Sequence, residues 1–287
     1  MLVSKNTIPT REESLSILPP KIVGKIGRDK HRTLDTTSPS TTSSSTSTST
    51  GENGTIIMAE REERLENVLL AMATVLPAGY CQGMNVVCGL CLETFDFDPL
   101  PSFWTAFRVL RSVQGLFSEG MPAFHMAMAF IDGYILDELP HLASRLESAS
   151  VVPLMFCSAW LHTLMGHVSL PSRVKVVAWE FLLDHDPNAL EPCVFVAAVL
   201  AIISLATPLV IDRPPSSSPE EDTMAILSIF RDTSLLESVL FSEGGSGGGS
   251  SSGEPFREVL AEHLDRILGG DAYVDAYIAL SASFQTG

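Results

Sequence analysis

The apolar residues of this 287-residue chain recur three and four positions apart along most of its length. That spacing indicates amphipathic α-helices, whereas half-buried strands alternate apolar and polar residues, a pattern that no segment shows. Residues 58–76 are the clearest case. Their apolar positions are Leu65, Val68, Leu69, Met72 and Leu76, and Pro77 ends the segment. The pattern therefore predicts an all-α fold.

Further stretches with helical spacing are each predicted to form one helix. They run from the turn at Gln82 to about Phe95, and then at 102–112, 121–146, 193–211, 222–241, 255–268 and 271–282. Residues 1–20 are polar and end in Pro19 and Pro20, which favours an extended lead-in. The predicted organisation is thus a flexible lead-in at 1–21 followed by one multi-helix domain at 22–285.

Two polar segments interrupt the helical pattern. Residues 36–54 are mostly Ser and Thr, with almost no apolar side chain, and 242–254 are rich in Gly and Ser. Because they offer little apolar surface to bury, we predict long flexible loop insertions at about 35–56 and 242–254. The Ser/Thr tract is either a phosphorylatable regulatory loop or a simple expansion in length.

The run 193–211 has no charged residue and is close in length to the roughly 20 residues that a membrane span needs. Its flanks argue against a span, because Glu191 and Asp212 are acidic and only Arg213 is a basic anchor. We predict a buried core helix, with an integral membrane protein as the alternative.

Charge and cysteine content narrow the class of function. The chain has 18 Lys and Arg against 34 Asp and Glu, a net charge of −16, which disfavours nucleic acid and direct docking on anionic lipid. Its five cysteines are an odd number in apolar surroundings, as expected in a reducing compartment. Cys88 and Cys91 form a C-x-x-C, but without a second ligand pair we interpret them as buried structural residues and predict no metal site.

The candidate chemistry lies in GYCQGMNVVCGLCL, residues 79–92, where a glycine-flanked turn leads into an apolar helix. Tyr80, Gln82 and Asn85 are predicted to be presented at the start of that helix. Unpaired N–H groups and a partial positive charge at a helix N-terminus suit phosphate oxygens, or a water beside them. Upstream, Ile26, Asp29 and Arg32 recur at three-residue spacing, which is expected to place them on one helical face.

Together the two strings resemble the TBC domain of Rab GTPase-activating proteins. That family pairs an I-x-x-D-x-x-R motif with a downstream Y-x-Q motif, commonly GYCQGMN, and here Thr33 follows the first motif as is usual. The resemblance implies a multi-helix TBC-type domain with a buried central helix at 193–211. It also implies a GTPase activator, which adds catalytic residues in trans to hydrolysis that a Rab performs, rather than an enzyme in its own right.

The resemblance also implies the roles of single residues. Arg32 would be the arginine finger and Gln82 the glutamine finger, with Asp29 orienting Arg32 and Ile26 packing beneath it. Tyr80 would support the switch region of the GTPase. Thr33, Gly83 and Asn85 complete the supporting set.

The implied partner is a Rab-family small GTPase in its GTP-bound form, which itself carries the GTP and Mg²⁺, so no cofactor of the chain's own is expected. The implied location is cytoplasmic and peripheral to endomembranes, reached through partners, with a role in vesicle trafficking. A second landmark spans 158–183, where Val177 and Glu180 depart from the Arg and Asp usual in the family. Those departures and the short segment before the first motif leave one alternative, a catalytically inactive TBC module that binds a Rab as an effector or scaffold.

Overall fold

The computed structural model describes residues 7–37, 52–184, 193–241 and 255–269, together with 279 and 282. These residues form α-helices, a short 3-10 helix and no strand, so the all-α prediction is confirmed. The helices are α1 Arg11–Ile17, α2 Pro20–Thr37, α3 Glu52–Val75, α4 Met84–Thr94, α5 Pro99–Ser112, α6 Pro122–Glu138, α7 Pro140–Ser148, α8 Leu154–His162, α9 Ser172–Asp184, α10 Cys193–Ile211, α11 Pro219–Ile229, α12 Thr233–Phe241 and α13 Pro255–Gly269.

The chain divides into two compact units, one of residues 1–119 and one of residues 120–286. In the first unit, α2 packs against α3 and α4, α4 also packs against α5, and α1 lies on α3. The core between these helices is apolar and fully buried. It includes Ile26, Leu65, Leu69, Val87 and Cys88. The single domain predicted at 22–285 stays a prediction.

Helix α1 corrects the prediction of an extended lead-in. Thr10 Oγ1 accepts a hydrogen bond from the Glu13 N–H at 3.2 Å, and Glu13 Oε2 accepts one from the Thr10 N–H at 2.8 Å. This reciprocal pair is a capping box, which satisfies two of the backbone donors that a helix start leaves open. Arg11 then joins α1 to α3, since its guanidinium donates to Asn67 Oδ1 at 2.8 Å and to Glu66 Oε1 at 3.1 Å.

The second unit is built around α10. Residues 193–203 are buried without interruption, and the helix packs against α13, α12, α7, α8, α9 and α11. By length and composition alone α10 could cross a membrane, yet 67% of its most apolar window is buried within the protein. This placement agrees with the predicted core helix.

Two predicted helices are each broken in two. The predicted helix 121–146 is split into α6, which ends at Glu138, and α7, because Pro140 has no N–H and starts the second helix. The predicted helix 222–241 is split into α11 and α12, and Asp232 Oδ1 caps the second by accepting from the Leu235 N–H at 2.9 Å.

The structure describes only the edges of the first predicted loop and none of the second. Helix α2 runs to Thr37 and α3 begins at Glu52, so helix extends into both edges of the predicted loop 35–56. Residues 38–51 and 242–254 lie outside the described residues, as does most of the helix predicted at 271–282.

Candidate functional site

Helix α2 directs its motif residues to two different sides. Ile26 has no exposed surface and Asp29 is 3% exposed, whereas the Arg32 side chain is 66% exposed. The prediction that all three share one face was wrong, because three residues fall about 60° short of a full turn and the drift reaches about 120° over six. As a result Ile26 and Asp29 anchor the helix, and Arg32 points to solvent.

The buried carboxylate of Asp29 holds Arg32. Its Oδ1 accepts a hydrogen bond from Arg32 Nη2, and its Oδ2 accepts one from the Tyr80 hydroxyl at 2.8 Å. Burial, and then the hydrogen bond to Asp29, raise the pKa of Tyr80 far above its usual value, so the hydroxyl keeps its proton and acts as the donor. The first motif is therefore tied to the second across 51 positions of chain.

Thr33 and Asn85 form a second link between the motifs. Asn85 Nδ2 donates to Thr33 Oγ1 at 2.7 Å, and the Thr33 hydroxyl donates to the Asp29 carbonyl at 2.8 Å. Asn85 Oδ1 accepts from the Gly83 N–H at 2.9 Å. Gly83 has a φ of 106°, a conformation that favours glycine, so this bond holds a turn that few other residues tolerate.

Gln82 lies in that turn, next to Gly83, and is exposed. Of the three polar side chains predicted to be presented at the start of α4, it alone is exposed, since Tyr80 is 5% and Asn85 7% exposed. Two of the backbone donors here are in use, because the Met84 N–H bonds to the Cys81 carbonyl at 3.3 Å and the Gly83 N–H to Asn85. The start of α4 therefore offers a partner chiefly the exposed Gln82 side chain.

Gly89 is a positioning residue that the sequence interpretation missed. A Cβ added to Gly89 would lie 2.8 Å from Thr33 Cγ2, closer than carbon atoms pack. Only glycine therefore lets α4 approach α2 closely enough for Asn85 to reach Thr33. The signal was a single glycine inside the apolar helix of the second motif. Glycine lowers helix propensity, so a glycine at this position indicates a site where close packing requires it.

The cysteines beside the site are free thiols within apolar packing. Cys88 and Cys91 are buried, and burial raises the pKa of Cys91 to about 12 and that of Cys88 well above its usual value. Metal ligation needs the thiolate, which this environment disfavours. Among the described residues, no group of three or more His, Cys, Asp or Glu side chains is arranged to hold a metal ion.

The second landmark lies in the other unit. Trp160 is fully buried, and the Trp179 indole donates to the Leu164 carbonyl at 2.9 Å. Of the two residues that depart from the family pattern, Val177 is buried, at 3% exposed, and Glu180 is ion-paired with Arg257.

Comparisons with known proteins agree with this architecture. A sequence model of the Rab-GTPase-TBC domain, RabGAP-TBC, matches residues 10–209, a range that contains both motifs. Among solved structures, the chain is similar to the crystal structure of the Chlamydomonas flagellar RabGAP TBC domain, with a TM-score of 0.50 and 18% identity over 88% of this chain and 74% of that one. That likeness shows the fold alone, and no curated protein matches the chain. Because the family model covers more than half of its length, the chain belongs to the Rab-GTPase-TBC domain family.

Proposed function

We propose that this protein is a GTPase-activating protein for a Rab-family small GTPase, and that it supplies Arg32 and Gln82 in trans to the hydrolysis of bound GTP. One observation carries the proposal. An exposed arginine is held by a buried carboxylate, and the same hydrogen-bonded network fixes the turn that presents an exposed glutamine. Family membership supports a Rab as the partner.

The chemistry of GTP hydrolysis explains why this arrangement suits the task. The reaction passes through a loose transition state whose charge spreads over phosphate oxygens, so catalysis depends mainly on positioning and electrostatics. A guanidinium brings a planar fork of donors that bridges those oxygens, which a lysine cannot reproduce. Arg32 is exposed enough to enter another protein's site, while Asp29 limits the orientations it adopts.

Gln82 provides the second group. Its carboxamide is able to accept a hydrogen bond from the attacking water and to donate one to a γ-phosphate oxygen. The neighbouring residues supply rigidity, because Gly83 holds the turn and Asn85 binds its N–H. Such positioning lowers the entropic cost of placing a water molecule for attack.

The wider role follows from this mechanism. The GTP and Mg²⁺ belong to the partner, and the chain acts on the GTP-bound form without a cofactor of its own. By turning off a Rab, the proposed activity would regulate vesicle transport, and we propose that the protein acts in the cytoplasm and at the periphery of endomembranes, recruited there by partners.

A hydrolysis screen across a panel of GTP-loaded Rab proteins tests the proposal. We expect the wild type to accelerate hydrolysis by at least one Rab, and Arg32→Ala to lose that acceleration. Arg28→Ala is the matched control, because Arg28 is an exposed arginine one turn away on α2, and it is expected to keep the rate at saturating activator. Binding of GTP-loaded Rab without acceleration by the wild type would instead identify an inactive Rab-binding module.

A further inference from the structure

Helix α2 carries a stripe of positive charge along its outer face. Lys21, Lys25, Arg28 and Arg32 follow one another at spacings of four, three and four, so they fall within an arc of about 60° around the helix. Lys21, Arg28 and Arg32 are exposed and Lys25 is half-buried. We call these four residues the basic stripe. It is a local excess of cations on a chain whose net charge is −16.

Two other side chains of α2, Lys30 and His31, contact acidic residues of α3. Lys30 Nζ lies 2.6 Å from Glu66 Oε2, and His31 Nδ1 lies 2.8 Å from Glu62 Oε1. Burial acts to raise the pKa of Glu66, but hydrogen bonds from Lys30 and Arg11 outweigh it and hold that pKa below its usual value. These contacts join α2 to α3, and the Lys30 cation is paired within the fold.

The basic stripe is not used in this way. Within the part of the chain that the structure describes, neither Lys21 nor Arg28 forms an ion pair, and Lys25 Nζ lies 5.7 Å from the centre of the Tyr80 ring. Arg32, at the end of the stripe, is held by Asp29. The fold therefore engages Lys25 against the Tyr80 ring and Arg32 against Asp29, and among the described residues it leaves Lys21 and Arg28 without an ion pair.

We infer that the basic stripe is a docking surface for an acidic face of the GTPase beside its nucleotide site. The inference rests on the proposed function, because it extends from Arg32. At a rise of about 1.5 Å per residue, the stripe from Lys21 to Arg32 is about 16 Å long. When Arg32 reaches the phosphates, the rest of this continuous row faces the protein surface around them.

Charge favours a protein partner over a membrane. An anionic membrane is an extended negative surface that reaches beyond the stripe to neighbouring parts of a chain whose net charge is −16, which weakens its attraction. A GTPase with a local acidic patch meets the basic stripe alone. Complementary charge of this kind raises the association rate and sets orientation more than it changes the chemical step.

The test compares kcat/KM with the rate at saturation. In the double variant K21E/R28E we expect kcat/KM to fall roughly tenfold or more at about 0.1 M salt, with the saturated single-turnover rate unchanged. The deficit should shrink at about 1 M salt, where the screening length falls from about 10 Å to about 3 Å. The charge-conserving K21R/R28K should behave as the wild type.

A charge-matched control separates the basic stripe from net charge. R213E/R231E reverses two exposed arginines outside α2 and changes the net charge by the same amount. If it lowers kcat/KM as much as K21E/R28E does, the docking surface is overturned while the proposed activity stands.

Binding decides the inference if the proposed activity fails. Suppose that the wild type accelerates no GTPase but binds a Rab loaded with a non-hydrolysable GTP analogue in a salt-sensitive way. Loss of that binding in K21E/R28E, but not in R213E/R231E, would still support the basic stripe. Absence of binding to every Rab would overturn it. So would stripe-dependent binding to phosphatidylserine vesicles without any effect on GTPases, which would assign the stripe to lipid.

Discussion

Replacing Gly89 with alanine tests whether the spacing of α2 and α4 positions Arg32. The added Cβ would lie 2.8 Å from Thr33 Cγ2, whereas carbon atoms pack at about 3.5–4.0 Å. Thr33 cannot easily rotate away, because its hydroxyl is bonded to both the Asp29 carbonyl and Asn85. The two helices must therefore separate by roughly 1 Å.

The expected size of the effect follows from opposing contributions. Alanine in place of glycine stabilises a helix interior by about 1 kcal/mol, while overpacking a buried contact costs about 1–3 kcal/mol. We expect a net loss of about 1 kcal/mol in the free energy of unfolding. A displacement of about 1 Å at a catalytic group lowers the rate roughly 100-fold, so activity should fall much further than stability.

Two further variants complete this experiment. Gly27→Ala is the matched control, since a Cβ on this α2 residue meets no atom within 4 Å, and it should raise the melting temperature without changing the rate. Thr33→Ser removes the clashing methyl and keeps the hydroxyl, so T33S/G89A should regain most of the lost rate. Thermal melts and single-turnover GTP hydrolysis measure both quantities. A wild-type rate in Gly89→Ala, or no recovery in the double variant, would refute the reasoning.

Two other predictions concern buried polar groups. Tyr80→Phe removes one of the hydrogen bonds to the buried Asp29 carboxylate and should cost about 1.5–3 kcal/mol in chemical denaturation, with slower hydrolysis because Arg32 is less well oriented; an unchanged rate would show that Asp29 holds Arg32 without it. His263 is 4% exposed, and burial lowers its pKa to about 4 from about 6.5. The folded state therefore favours neutral His263, so its contribution is present above about pH 6.5 and is lost towards pH 4, by on the order of 3 kcal/mol. Urea unfolding from pH 7 to 4 should show a steeper loss in the wild type than in His263→Gln, and equal slopes would contradict this.

Helix content and the buried run were predictable because they depend on local pattern. The three-and-four spacing in 58–76 and the uncharged run 193–211 both became helices, α3 and α10. The sequence also carries local signals for helix ends, namely the capping box at Thr10 and the breaks at Pro140 and Asp232. The spacing of apolar residues does not reveal these signals. Counting apolar positions finds helices more readily than it finds their ends.

The hydrogen bonds between side chains of the site could not be predicted from the spacing of apolar and polar residues. Tyr80 was expected to support the partner's switch region, but in the structure its hydroxyl bonds to Asp29, and the role towards a partner stays a prediction. Asn85 likewise bonds to Thr33 rather than facing solvent. These contacts join residues more than 50 positions apart, and they depend on how closely α2 and α4 pack at Gly89, which periodicity does not report.

Single-turnover hydrolysis of GTP on a Rab that the wild type accelerates, with saturating activator, tests the central claim most directly. Arg32→Ala should lower the rate by roughly 10³- to 10⁵-fold, and Arg32→Lys should recover little of it because a point charge cannot bridge as the planar guanidinium does. Gln82→Ala should also be severe. In the double variant R32A/Q82A, the fold-loss in rate should be smaller than the product of the two single fold-losses, because each group acts only when the other has organised the site. Full activity in Arg32→Ala would contradict the account.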